Sequence, residues 1–191
     1  MATKKTVHRL KVTLREVEPP VWRRIEVGSE MELSNLARVL EGAMGWYGGH
    51  LHAFDVDGVS YAIPDGEDSG FRRTVDERQA KLGKVLPIVD SAMRWDYDFG
   101  DGWEHDIVVE AIETRQAGVS SPVCLAGERA CPPEDCGGPW SYDDLLAALA
   151  DPTHEQHEEF SEWVPEGFDP EVFDVAVANE MMTWVRLRPE W

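Results

Sequence analysis

The sequence predicts an α+β protein, in which a twisted antiparallel sheet with one packed helix is followed by a C-terminal helical lobe. Alternating apolar and polar residues, typical of half-buried strands, recur between residues 7 and 113. Short turns containing glycine or aspartate join neighbouring strands, which favours antiparallel pairing. Helical spacing and capping residues concentrate after residue 140. Strands and helices are therefore segregated along the chain, as in α+β folds.

The first predicted elements are a strand pair and a helix. Residues 7–17 alternate between apolar and polar types, Pro19-Pro20 interrupts the pattern, and residues 21–27 resume it. We therefore expect an antiparallel pair. Apolar residues then recur at helical spacing over residues 34–44, and Gly45 ends this helix.

Two further hairpins follow. Asp57-Gly58 separates two apolar alternations, and both positions of such a turn require a positive φ. The longest predicted strands cover residues 92–99 and 103–113, joined by Gly100-Asp101-Gly102. A short helix is expected near residues 79–86. These elements make a sheet of about six strands, the usual size.

The last third of the chain has helical signals. We expect one helix from residue 141 to just before Pro152, a second from the capping-box pattern at residues 153–156, and a third opened by Asp169-Pro170. Residues 1–191 are thus predicted to form a single domain with a sheet-rich part (6–114), a connector rich in Cys, Pro and Gly (115–139) and a helical lobe (140–188).

The net charge of −19 constrains the partners that we expect. Residues 130–185 hold fourteen Asp and Glu and no Lys or Arg, and such a surface repels phosphate backbones. Direct nucleic-acid binding is therefore not expected, whereas a protein partner is. No apolar run approaches the roughly 20 residues of a membrane span, and no signal peptide is visible. We expect a cytoplasmic protein without a membrane partner.

A zinc site is the first candidate for chemistry. Cys124 and Cys131 precede His154 and His157, which share one face of a predicted helix, and Cys136 is an alternate ligand. Two thiolates and two imidazoles can complete a tetrahedral zinc site. The alternative is that the cysteines are small buried side chains and the histidines exposed helix residues.

Two histidine-containing segments are the next candidates. His50 and His52 point to one face if their segment is a strand, and with His105 they could line a pocket. Asp98 and Asp101 flank the turn before His105 and could perform general acid–base catalysis with it. The alternatives are an ordinary strand face, turn-forming aspartates and a core histidine.

Aromatic side chains could form a ligand pocket or simply pack in the core. The set consists of Trp22, Trp46, Tyr47, Trp95, Tyr97 and Trp103.

Three segments carry a family resemblance: WDYDFGDGWEH at residues 95–105, the cysteine segment 124–138, and DPTHEQH at residues 151–157. Together with the opening hairpin and residues 45–50, they resemble the plasmid pRiA4b ORF-3-like family over about residues 6 to 180. The resemblance implies an α+β domain, often encoded near mobile elements, with no established activity. In the family pattern the position of Cys136 is usually apolar, so a site that requires this cysteine would not be general.

Three functions fit these observations. The first is a non-enzymatic cytoplasmic accessory or interaction protein associated with plasmids or mobile elements, because the sequence has no phosphate loop, nucleophile elbow or dinucleotide fingerprint. The second is a small metal-dependent, hydrolase-like enzyme that uses His105, Asp98 and Asp101. The third is an acidic inhibitor that mimics nucleic acid, suggested by the charge of residues 130–185.

Overall fold

The computed structural model describes residues 5–64, 74–115 and 122–187, so the predicted domain limits at residues 1 and 191 lie outside the described residues. Eight strands occur in these ranges: β1 (Thr6–Leu14), β2 (Trp22–Gly28), β3 (His52–Val56), β4 (Val59–Ala62), β5 (Thr74–Asp76), β6 (Ala92–Tyr97), β7 (Trp103–Thr114) and β8 (Val123–Glu128). The helices are α1 (Leu33–Met44), α2 (Leu82–Val85), α3 (Gly138–Ala150), α4 (His157–Trp163) and α5 (Val175–Leu187), with a 3₁₀ turn at Glu77–Gln79.

All eight described strands form one sheet in the order β5-β4-β3-β6-β7-β1-β2-β8. The α+β class is confirmed, and every predicted hairpin pairs antiparallel. The prediction of about six strands, all antiparallel, is corrected to eight strands in the described ranges, because two edge strands were missed. Strand β5 pairs parallel with β4, and β8 pairs antiparallel with β2.

The two missed strands lack the signals that sequence reasoning uses. Strand β5 has three residues, too few for a period of two to be recognised. Strand β8 lies in the segment predicted as a connector, of which residues 116–121 are outside the described ranges. It contains two small residues and does not alternate regularly between buried and exposed positions. Its pairing with β2 defines it as a strand.

Helix α1 lies between the sheet and α5, which explains why most of its residues are buried. Its α5 contact is close at Gly42, where an added Cβ would lie 2.5 Å from the Met182 Cα. Gly45 ends α1 in the left-handed conformation with a φ of 98°, as predicted for a C-terminal glycine. Helix α5 is therefore part of the main core.

Helices α4 and α5 begin later than the sequence predicts. The Asp151 side chain accepts hydrogen bonds from the backbone and hydroxyl of Thr153, so this segment forms a local turn, and α4 begins at His157. Asp174 caps α5 by accepting from the backbone N–H of Ala176 at 2.7 Å. No helix in the described ranges has both the length and the apolar character needed to cross a membrane.

Candidate functional site

Three loops meet at one end of the sheet and form the candidate site. Residues 45–51 connect α1 to β3, residues 98–102 connect β6 to β7, and residues 129–137 connect β8 to α3. The first two loops are joined where the Asp98 N–H donates to the carbonyl of Leu51 at 2.9 Å. The site is thus built from distant parts of the sequence.

Hydrogen bonds between side chains and backbone groups hold the 129–137 loop to the other two loops. The Gly137 N–H donates to Asp101 Oδ2 at 3.0 Å, and Trp46 Nε1 donates to the carbonyl of Pro132 at 2.9 Å. Gly138 has a φ of 83°, and a Cβ there would overlap the Asp101 carbonyl oxygen. This close approach requires glycine.

His50 lies between two carboxylates, and we call His50, Asp98 and Asp135 the His50 cluster. Its Nδ1 is 3.1 Å from Asp98 Oδ2, and its Nε2 is 3.6 Å from Asp135 Oδ1. Asp98 is oriented by its Oδ1, which accepts from the backbone N–H of Gly100 at 3.0 Å. One ligand atom from each of the three side chains lies within 4.8 Å of the others. The cluster could hold a divalent cation or orient the imidazole as a base.

Glu134 is the polar anchor of the 129–137 loop. Its carboxylate accepts from Tyr97 Oη at 2.7 Å and from the backbone N–H groups of Tyr47 and Gly48 at 3.0 and 3.2 Å. Burial and the neighbouring Glu134 carboxylate raise the pKa of Tyr97 far above its usual value, so the phenol remains a donor. Glu134 is therefore held in a fixed position beside the His50 cluster.

A cavity of about 650 Å³ adjoins these loops. It extends from α1 and the 129–137 loop to the segment before α5, and Asp135 belongs to both the cavity wall and the His50 cluster. Most of the side chains that line it are apolar, among them Met44, Tyr47, Phe168, Phe173, Val177 and Met181. Volume and lining are those of small-molecule or peptide-side-chain sites.

Arg23 of β2 is a buried cation against this cavity, with 1% of its surface exposed. Its Nε donates to the Ala43 carbonyl, and its Nη1 donates to the carbonyls of Trp22 and Glu128, each at 2.9 Å. The Phe173 ring covers the guanidinium, with its centroid 3.9 Å from Cζ. Burial lowers the pKa of Arg23 from its usual value.

Comparison with known proteins identifies the family. A model of the family described as plasmid pRiA4b ORF-3-like protein matches residues 6–177. The chain belongs to this family. An uncharacterized protein of Sinorhizobium fredii, y4hQ, is 44% identical over 158 residues, which are 83% of this chain and 80% of that protein.

A solved structure also resembles this family member. The crystal structure of a protein of unknown function, MM3350 from Methanosarcina mazei Go1, has a TM-score of 0.82 and 33% sequence identity. The match covers 91% of this chain and 98% of the other. The family resemblance predicted from the sequence is confirmed, and neither relative has a name that assigns an activity.

The predicted zinc ligands do not meet in this family member. They are Cys124, Cys131, His154 and His157, with Cys136 as the alternate. Within the described ranges, the group of three or more metal-ligating side chains that converges is the His50 cluster, which contains none of them. His157 Nδ1 is 2.8 Å from the carbonyl of Ala148. Burial raises the pKa of Cys136 to about 12 and also raises that of Cys131. Zinc binding stays a prediction without a geometric counterpart.

The predicted histidine pocket is divided among three separate environments. His50 joins Asp98, His52 Nε2 is 3.0 Å from Glu77 Oε2, and His105 is fully buried. Burial lowers the pKa of His105 to about 3, so its imidazole is neutral, and His105 does not line the cavity described above. The histidine that the structure brings to Asp98 is His50 and not His105, and catalysis by His105, Asp98 and Asp101 stays a prediction.

The aromatic candidates also separate into core and cavity groups. Trp95, Tyr97 and Trp103 are buried in the sheet core, and Trp46 stacks on Tyr97 with ring centroids 4.7 Å apart. Trp46 and Tyr47 line the cavity, as the pocket alternative expects. Sequence reasoning did not select Asp135 or Glu134, because their positions depend on contacts between distant segments. It also missed Arg23, although strand alternation places that residue on the buried face of β2.

Proposed function

We propose that the protein is a non-enzymatic accessory protein that binds an apolar ligand in the cavity beside the three loops. The observation that supports this most is the cavity itself, about 650 Å³ with mostly apolar walls. Cavities of roughly 300–1,000 Å³ bury most of a small ligand. A cytoplasmic location is part of the proposal, supported by the free state of Cys124, Cys131 and Cys136. Association with plasmids is supported by the family's description.

The polar groups around the cavity favour binding over catalysis. Glu134 is occupied by three hydrogen bonds, and the Cys131 thiol is protonated because burial raises its pKa. An activated thiol nucleophile would instead need a lowered pKa. These groups shape and hold the cavity wall, which is the requirement of a binding site.

An uncharged fluorescent probe, N-phenyl-1-naphthylamine, tests this proposal. Its fluorescence rises in an apolar cavity, and we expect saturable binding at about one probe per chain. Val172 lines the cavity and is 57% exposed, so Val172→Glu changes the lining without disturbing the core. We expect it to weaken probe binding, because a charged side chain replaces an apolar contact with the probe.

Ile88→Glu is the matched control, since Ile88 is 67% exposed and does not line the cavity. It should leave the probe affinity unchanged. Absence of saturable binding, or an equal loss in both variants, would contradict the proposal.

A metal-dependent hydrolase is the second candidate, and the His50 cluster is the observation that favours it. Three protein ligands would leave open positions on a bound cation, as catalytic sites require. Calorimetric titration with Mn²⁺ and Zn²⁺ tests it. Binding of one ion per chain that is lost in His50→Ala and retained in His154→Ala would support a metal centre. No binding by the wild-type protein would reject it.

The nucleic-acid mimic gains no support from the fold. The acidic residues of segment 130–185 are distributed over α3, α4, α5 and their connections. A mimic would need a single ridge of carboxylates spaced like phosphates, and no such ridge is evident in the described elements.

A further inference from the structure

Arg23 is a buried cation without a carboxylate partner, in a chain whose net charge is −19. The arginines that do pair with a carboxylate are at least partly exposed, for example Arg24, which lies 2.5 Å from Glu110. Among the described residues, no Asp or Glu forms an ion pair with Arg23. Burying an uncompensated charge is costly. The guanidinium is held by three backbone carbonyls and the Phe173 ring, and an anionic ligand would supply the missing counter-charge.

The hydrogen bonds of Arg23 leave one side of its guanidinium available. Nε and Nη1 donate to three backbone carbonyls, whereas Nη2 donates to no group within the described parts of the chain. The Phe173 ring contacts the guanidinium, with its centroid 3.9 Å from Cζ. A carboxylate binds a guanidinium in its plane through the N–H groups, so Nη2 is the atom that a ligand carboxylate would meet.

The surroundings of the cavity limit the charge of a ligand. Glu134, Asp135, Asp169 and Asp174 all contribute to the cavity lining. Their carboxylates would repel a second negative charge on a ligand in the cavity, where the dielectric constant is lower than in water. One anionic group can be matched by Arg23, but two cannot.

We propose that the cavity takes a ligand with an apolar body and a single carboxylate, and that Arg23 binds this carboxylate. The inference rests on the proposed binding function and adds the chemical class of the ligand. A free carboxylic acid and the C-terminus of an apolar peptide present the same chemistry to the site. The apolar side chains of the cavity contact the body of the ligand, and Arg23 determines its orientation.

Competition against bound N-phenyl-1-naphthylamine tests the inference on the wild-type protein. Octanoate, octanol and octanedioate share one chain length and differ in the number of carboxylates. We expect octanoate to displace the probe at a concentration at least tenfold below those of octanol and octanedioate. Octanol is the more apolar compound, so a purely apolar cavity would prefer it. N-acetyl-Leu-Phe and its C-terminal amide form a second pair. We expect the acid to displace the probe at a lower concentration than the amide, and comparison of the acid with octanoate then distinguishes a peptide C-terminus from a free acid.

Arg23→Met removes the guanidinium and keeps an apolar stem of similar length. In this variant the affinity for octanoate should fall to that for octanol. Arg24→Met changes the neighbouring residue of the same strand and should preserve the stronger binding of octanoate. If Arg23→Met does not fold, the wild-type comparison of octanoate with octanol still decides. If the wild-type protein binds the probe, and octanol displaces it as well as or better than octanoate, the inference is overturned and the binding function stands. Failure of the probe and of octanoate to bind would overturn both.

Discussion

Replacement of Gly42 by alanine tests the close packing of α1 against α5. In an isolated helix this change stabilises by about 1 kcal/mol, because glycine is a poor helix former. Here the new Cβ would lie 2.5 Å from the Cα and 2.7 Å from the backbone nitrogen of Met182. Backbone atoms cannot rotate away as a side chain can, so α5 must shift. Overpacking of this kind costs about 3 kcal/mol at the upper end of its range.

The net expectation for Gly42→Ala is a loss of about 2 kcal/mol in the free energy of unfolding. For a chain of this size that corresponds to a fall of about 4–8 °C in melting temperature. Urea unfolding followed by tryptophan fluorescence measures it, with Gly28→Ala as control because nothing lies within 4 Å of a Cβ there. Since Met181 of α5 lines the cavity, Gly42→Ala should also weaken probe binding. A variant as stable as wild type would refute the helix contact.

Three further changes test the core and the loops. Burial lowers the pKa of His105 to about 3, below the value of about 6.5 in the unfolded chain. The free energy of unfolding is therefore highest above pH 6.5 and falls as the pH decreases, because the unfolded chain binds the proton first. Between pH 7 and pH 5 the wild type should lose about 2 kcal/mol more than His105→Gln, as measured by urea unfolding. Tyr97→Phe removes the hydrogen bond to Glu134 and should cost about 1.5 kcal/mol in the same assay; no loss would contradict the anchor. Gly138→Ala should cost more than about 2 kcal/mol from strain and overlap, and Gly45→Ala, with a positive φ but open space, less.

Local sequence patterns predicted the centre of the fold because the central strands satisfy those patterns by themselves. Strand β1 alternates as a half-buried strand should, and Asp57-Gly58 forms the predicted turn with positive φ at both residues. The failures occur where a distant partner decides the structure. Strand β8 exists through its ladder with β2, and Asn179 of α5 bonds both backbone groups of Cys124 on its outer edge.

The candidate site was predicted in fragments for the same reason. His50 and Asp98 were each selected from the sequence, but in different sites, because 48 positions separate them and no local pattern relates them. The hydrogen bond from Asp98 to the Leu51 carbonyl is the contact that brings them together. The burial of His105 agrees with the alternative of a core histidine, since strand alternation already places it on one face of β7 with Trp103 and Ile107.

One signal for the cavity was present in the sequence, in the alternation of buried and exposed residues along β2. Strand β2 buries alternate residues, and Arg23 occupies the same face as Ile25 and Val27. A charge at a core position of a strand is costly unless an opposite charge or hydrogen bonds stabilise it. Arg24, on the other face, is paired with Glu110. Arg23 has three carbonyls and no carboxylate, which is why the ligand of this cavity should carry one.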